Sequence, residues 1–227
     1  MSEKNITKTI VSNYHSTVIP LCRLMKQHAT NIMLLPDNKI LMQSLITGIR
    51  SYMILNKEYD YSNFLYSFLS IPEISKINTK FRKTKSEIEW DTNNGVNYLV
   101  VKNPDMDPCK VPIINNSDAI NDIISATYNN IPDWDSSNID EFICEESSSE
   151  YNKLSEDFIE NMLDKKLCEI SVNGKSILLA RPFLGDLKKT SYVGYRIISE
   201  EDNKLVLKFK QSEDIGNIYT YAAFLTI

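Results

Sequence analysis

The chain has 227 residues, of which 42% are hydrophobic and 10% aromatic, enough for one large domain or two of about 110 residues and too apolar for wholesale disorder. Its formal net charge of −5 is concentrated in one segment: residues 1–115 carry 14 Lys+Arg against 10 Asp+Glu, residues 116–164 carry one Lys against 13 acids, and residues 165–227 carry 10 against 7. That balance excludes gripping nucleic acid by bulk electrostatics, so any contact with DNA has to be local.

In chain order, residues 16–28 place Val18, Leu21, Leu24 and Met25 at helical spacing, with Ser16 or Thr17 as N-cap and Arg23 and Lys26 on another face. The preceding NITKTIVSNY extends this helix or forms a strand. NIMLL (31–35) and KILMQSL (39–45) read as a hairpin around Pro36, Asp37 and Asn38, and residues 49–58 as a third strand. Asp60 is expected to cap a second helix, YSNFLYSFLSI, stopped by Pro72. Strands are then expected at 74–81, 85–91, 97–103 and 110–114, which makes the basic cluster KFRKTK (80–85) a hairpin tip.

Residues 118–129 look helical, and the serine-rich acidic stretch that follows reads as a connector. Residues 154–166 predict a helix started by Ser155, with Phe158, Ile159, Met162 and Leu163 on its apolar face, followed by an antiparallel meander to the end of the chain. These elements predict an α+β protein of two similar domains, each an antiparallel sheet with short helices on one face. The domains are residues 1–116 and a shortened 151–227, joined by an acidic connector over 117–150.

No catalytic constellation emerges. GxxxxGK[ST], GxGxxG, GxSxG and HExxH are absent, and six glycines are too few for phosphate-cradling loops. The four cysteines (Cys22, Cys109, Cys144, Cys168) form no CxxC, and with only His15 and His28 beside them they make no metal cluster. Scattered cysteines fit a reducing cytoplasm, and no apolar run is long enough for a membrane span or signal peptide. The carboxylate pairs Glu87/Glu89 and Glu145/Glu146 are expected on solvent faces. The reading is a non-enzyme without cofactor or metal.

NIMLLPDNKILMQSL, followed after one strand by EYDYSNFLYSFLSI, resembles the hairpin and helix of the sliding clamps of T-even-type tailed bacteriophages. SEIEWD, and the helix KLSEDFIENML before the hairpin EISVNGKSILL, are similar to the same family. The resemblance covers about two-thirds of the chain and rests on short apolar motifs and element order. A late second-domain helix of that family has no room here, because RII passes to KLVLKFK through SEEDN.

The resemblance implies a closed ring of three identical subunits around duplex DNA, helices lining the hole, in the cytoplasm of an infected host cell. Its partners would be a DNA polymerase, for which it is the processivity factor, and a clamp loader, with transcription coactivation as a second role. It further implies DNA-facing cations, for which the candidates are Arg23 and Lys26 on the first helix, Lys153, Lys165 and Lys166 around the 154–166 helix, and Lys80, Arg82, Lys83 and Lys85 in the basic cluster. The strands NYLVVKN and IYTYAAFLTI are candidates for edges that pair across subunits. The alternative reading is a viral replication or transcription adaptor that forms no ring and works through protein contacts.

Overall fold

The computed structural model describes residues 3–26, 28–44, 50–83, 86–93, 96–115, 143, 145–165, 167–180 and 190–226. The expected helix over 118–129 lies outside these residues, as does most of the acidic connector.

The first helix begins at Glu3, well before Ser16. Helix α1 (Glu3–Asn13) runs through a π-helical turn at Tyr14–Val18 into α2 (Ile19–Met25). Two features of the sequence explain the wide turn. Ile10, Tyr14, Val18 and Cys22 recur every four residues and all are buried, a spacing that drifts off one face of a regular α-helix and stays on it when a turn is widened. Pro20 lacks an N–H and crowds the carbonyl four residues back, which the wider turn relieves.

Strands β1 (Ala29–Leu34) and β2 (Lys39–Ser44) form the expected hairpin. Asp37 and Asn38 both adopt positive φ (57° and 59°), as a two-residue hairpin turn of matching twist requires. Strand β3 (Arg50–Leu55) follows.

The next stretch departs from expectation. Only a single 3-10 turn forms, at Ser62–Phe64, with Tyr61 and not Asp60 as its N-cap; Asp60 instead accepts a 2.9 Å hydrogen bond from Ser62 Oγ, and Tyr66 breaks the chain direction at φ 59°. Residues Ser67–Ser70 are then strand β4, and the helix α3 comes later, at Ile71–Lys83, where a strand was expected. Ile71, Ile74 and Ile77 explain the switch: their spacing of three is helical, and all are buried on one face of α3. Pro72 starts this helix, where its missing N–H costs nothing. The basic cluster is therefore no hairpin tip. Lys80, Arg82 and Lys83 belong to the last turn of α3, and Lys85 lies outside the described residues.

Strands β5 (Glu87–Asn93), β6 (Val96–Asn103) and β7 (Met106–Asn115) form an antiparallel meander. After the connector come β8 (Asn152–Lys153) and α4 (Glu156–Asp164), whose N-cap Ser155 accepts a 3.2 Å hydrogen bond from the Phe158 amide. β9 (Leu167–Val172) and β10 (Lys175–Ala180) turn through Asn173 and Gly174, again at positive φ. The long strands β11 (Thr190–Glu201), β12 (Lys204–Glu213) and β13 (Gly216–Leu225) finish the chain.

The molecule is thus a mixed α+β protein of antiparallel sheet and few helices. Eleven strands form one sheet in the order β5-β6-β7-β4-β1-β2-β3-β13-β12-β11-β8, while β9 and β10 form a second sheet. The β3–β13 ladder, from Gly216↔Leu55 to Tyr221↔Arg50, joins the N-terminal strands to the C-terminal ones. Gly216 is needed there, since a Cβ would lie 2.2 Å from the Ile54 carbonyl oxygen. β6 and β13, expected at edges, are interior strands; the terminal strands are β5 and the short β8 on β11.

Both helical regions cover the same side of the sheet. Helices α1 to α3 bury Leu21, Met25, Ile74 and Ile77 with Ile32, Leu34, Met53 and Ile218, whereas α4 and the β9–β10 hairpin bury Met162, Ile177 and Leu179 with Leu207, Phe209 and Ala222. Ile218 and Ala222 lie four residues apart on β13 and so point the same way. The opposite side carries Met33, Leu41, Tyr52, Tyr219 and Tyr221, covered by Ile143 and Tyr151 from the end of the connector.

Candidate functional site

The cations predicted to face DNA fall in two regions of opposite character. Arg23 and Lys26 are exposed on the last turn and C-cap of α2, where positive charge also complements the helix dipole. Lys8, Thr9, Ser12 and Ser16 continue the exposed side of α1 and the π turn, so the described exposed side chains of this helix include three cations and no carboxylate. Helix α3, whose last turn holds Lys80, Arg82 and Lys83, packs beside α2.

Lys153 and Lys165 are exposed at the two ends of α4, and Lys166 lies outside the described residues. Between those two lysines the solvent side of α4 presents Glu156, Asp157, Glu160 and Asp164. The Lys153 ammonium is 3.8 Å from Glu156, so its charge is already matched within the chain. Alone, this surface repels phosphate. A cleft of about 310 Å³ opens between α4 and the start of β11, lined by Lys153, Glu156, Ile159, Glu160, Thr190 and Tyr192 among others.

A further cluster escaped the sequence reading. The Lys208 side chain on β12 is fully buried on the side of the sheet away from the helices. Its ammonium lies 5.3, 5.2 and 5.0 Å from the ring centres of Tyr52, Tyr219 and Tyr221 and is hydrogen-bonded to Glu146, whose own side chain is 8% exposed. Arg196 Nη2 donates to the same carboxylate at 3.0 Å, Tyr151 Oη donates to its other oxygen at 2.5 Å, and Lys210 Nζ donates to the Glu146 backbone oxygen at 2.7 Å. Burial and the Glu146 bond push the Tyr151 phenol far above its ordinary range. Gly194 makes the space: a Cβ there would meet Tyr192 Oη at 2.5 Å and Tyr151 Cβ at 2.9 Å.

Glu146 was expected on a solvent face with Glu145, which is indeed exposed. The signal that finds the cluster is cross-strand register. Lys208 pairs with Tyr221 and Lys210 with Tyr219, so KFK on β12 faces YTY on β13.

Burial raises the Cys22 thiol to about 12, which removes its nucleophilic form at neutral pH. No group of three His, Cys, Asp or Glu side chains able to hold a metal occurs among the described residues, and no described helix is long and apolar enough to cross a membrane. The His28 imidazole instead sits 3.4 Å from Glu213, linking the end of α2 to the end of β12. No family model and no curated protein matches the chain.

Proposed function

We propose that the chain is a DNA sliding clamp, a homotrimeric ring that encircles duplex DNA without reading its sequence and tethers a replicative polymerase in the cytoplasm of an infected cell. The observation that carries this reading is the sheet itself, which has its helices on one side and two unlike ends. At one end β5 has no second strand partner among the described residues; at the other, β11 is covered by β8 only at Gly194 and Tyr195. Unlike ends meet head to tail, and a head-to-tail contact closes into a ring when its rotation divides a full turn. Open strand edges otherwise invite uncontrolled association, which ring closure ends.

Helices on the inner side would then present Lys8, Arg23 and Lys26 to the phosphates. A few mobile cations suffice, because a sliding ring holds DNA by topology and needs no base contact. The ring would hydrolyse nothing and would load through a separate ATP-driven partner. The acidic α4 narrows the DNA-facing set to the N-terminal helices, and the whole-chain balance of −5 keeps outer surfaces away from DNA.

The test is the solution mass by light scattering at tens of micromolar and on dilution, followed by retention on DNA. The proposal expects three copies of 26.1 kDa, about 78 kDa, retained on closed circular DNA and lost when the circle is cut. Arg23→Glu with Lys26→Glu should reduce that retention while leaving the mass unchanged. A mass of 26.1 kDa at every concentration overturns the ring and leaves the protein-contact adaptor in its place.

A further inference from the structure

We infer that the seat of Glu146 is a phosphate site: a phosphate group competes with the Glu146 carboxylate for Arg196, Lys208 and Lys210, and its binding lifts the segment 145–151 off the sheet. The site lies on the side away from the helices, so it goes beyond the ring reading and does not depend on it. Arg196 pairs with Lys208 across β11 and β12, and Lys210 follows on the same face two residues on, so the three cations share one patch.

Two of these cations are only partly answered by Glu146. Lys210 is 4% exposed, yet among the described residues its ammonium meets a carbonyl, that of Glu146, and the Tyr219 ring at 5.6 Å, and no carboxylate. Arg196 uses half of its fork: Nη2 donates to Glu146 Oε1, while Nε on the same edge is buried without a hydrogen-bond partner. The oxygen that would close the fork, Oε2, accepts from Tyr151 instead. A buried charge without a counter-charge is costly, and a guanidinium edge is matched by two oxygens of one anion. A phosphate group carries three strong acceptor oxygens and a charge of about −1.5 to −2 at pH 7. It can close the fork and still leave an oxygen for the lysines.

The exchange supplies an anion as it removes one, so no cation is stranded. Glu145 and Ser147–Glu150 are exposed, and the β11–β12 and β12–β13 ladders close without this segment. Besides Glu146, it is held by Tyr151 packed over Gly194 and by the Tyr192 hydroxyl, which donates to the Ser148 and Tyr151 carbonyls at 3.1 and 3.3 Å. A tethered carboxylate competes as if present at about millimolar concentration, which puts phosphate binding in that range.

The experiment titrates the full chain at about pH 7.5 with inorganic phosphate, against chloride at equal ionic strength. Near-UV circular dichroism follows the tyrosines, and mass spectrometry follows cleavage after Glu146 by a glutamate-specific protease. Phosphate should give a saturable change, with cleavage after Glu146 raised about tenfold. Glu146→Gln should lower the midpoint about tenfold by removing the competitor, while Arg196→Lys and Lys210→Gln should raise it by as much. Far-UV circular dichroism checks folding, and where a variant fails it the unaltered chain decides. A nucleoside monophosphate run beside the free ion separates the sources: a lower midpoint assigns a carried phosphate, an equal one the free ion. A response that chloride reproduces, or that both cation variants leave unchanged, overturns the site. Saturable binding without cleavage after Glu146 overturns the release of the segment.

Discussion

On the helix-covered side of the sheet, Leu21, Met25 and Ile74 meet Ile32, Leu34 and Met53 by apolar packing, while the other side closes over Lys208 with the Glu146 carboxylate from the connector. The first kind of contact is graded, since each removed methylene costs its own transfer and cavity energy. The second is closer to all-or-none. Once Lys208 is buried, its partner is required, and removing the partner costs more than the pair itself contributes. A sheet with one side of each kind can lose many small pieces from the first and few from the second.

The sharpest way to break this comparison is Glu146→Ala, which removes the carboxylate that Lys208, Arg196 and Tyr151 share. It should cost about 3–5 kcal/mol in a urea titration, and a loss below about 1 kcal/mol would refute the requirement for a partner. Leu21→Ala tests the graded side and should cost about 2–5 kcal/mol, set by how far the cavity collapses. Lys208→Met sharpens the contrast: Glu146 keeps Arg196 at 3.0 Å and Tyr151 at 2.5 Å, so the loss should be about 1–3 kcal/mol and smaller than for Glu146→Ala.

The smallest expected effect is on pH. Burial lowers the His15 pKa, so the folded state resists a proton that the unfolded chain accepts. Stability is therefore full above about 6.5 and falls as pH drops from there toward the folded-state value. A melting series from about pH 7.5 to 5.5 should show a shallow decline that His15→Gln removes.

Much of the fold was legible where short-range rules decide. The Asp37-Asn38 turn, the Ser155 cap and the Gly174 hairpin all formed where turn and cap chemistry put them. The stretch 60–83 misled because an apolar run of Phe64, Leu65, Phe68 and Leu69 fits a helix until Tyr66 turns left-handed, while the threefold spacing of Ile71, Ile74 and Ile77 was passed over. Arg23 and Lys26 were legible as an exposed pair, because helical spacing alone separates them from the buried positions. The Lys208 cluster was not, because it needs the β12–β13 register and a carboxylate 62 residues away, and no local pattern carries either.

The six-pair ladder between β3 and β13 is backed by a buried hydrogen bond between Ser51 and Thr220, 3.0 Å long. With Gly216 seated against Ile54, it makes the sheet a single plank rather than two leaves on a hinge. In the proposed ring, opening would therefore fall to the seams between copies, and the compliance of such an assembly would be set by what lies at its strand edges.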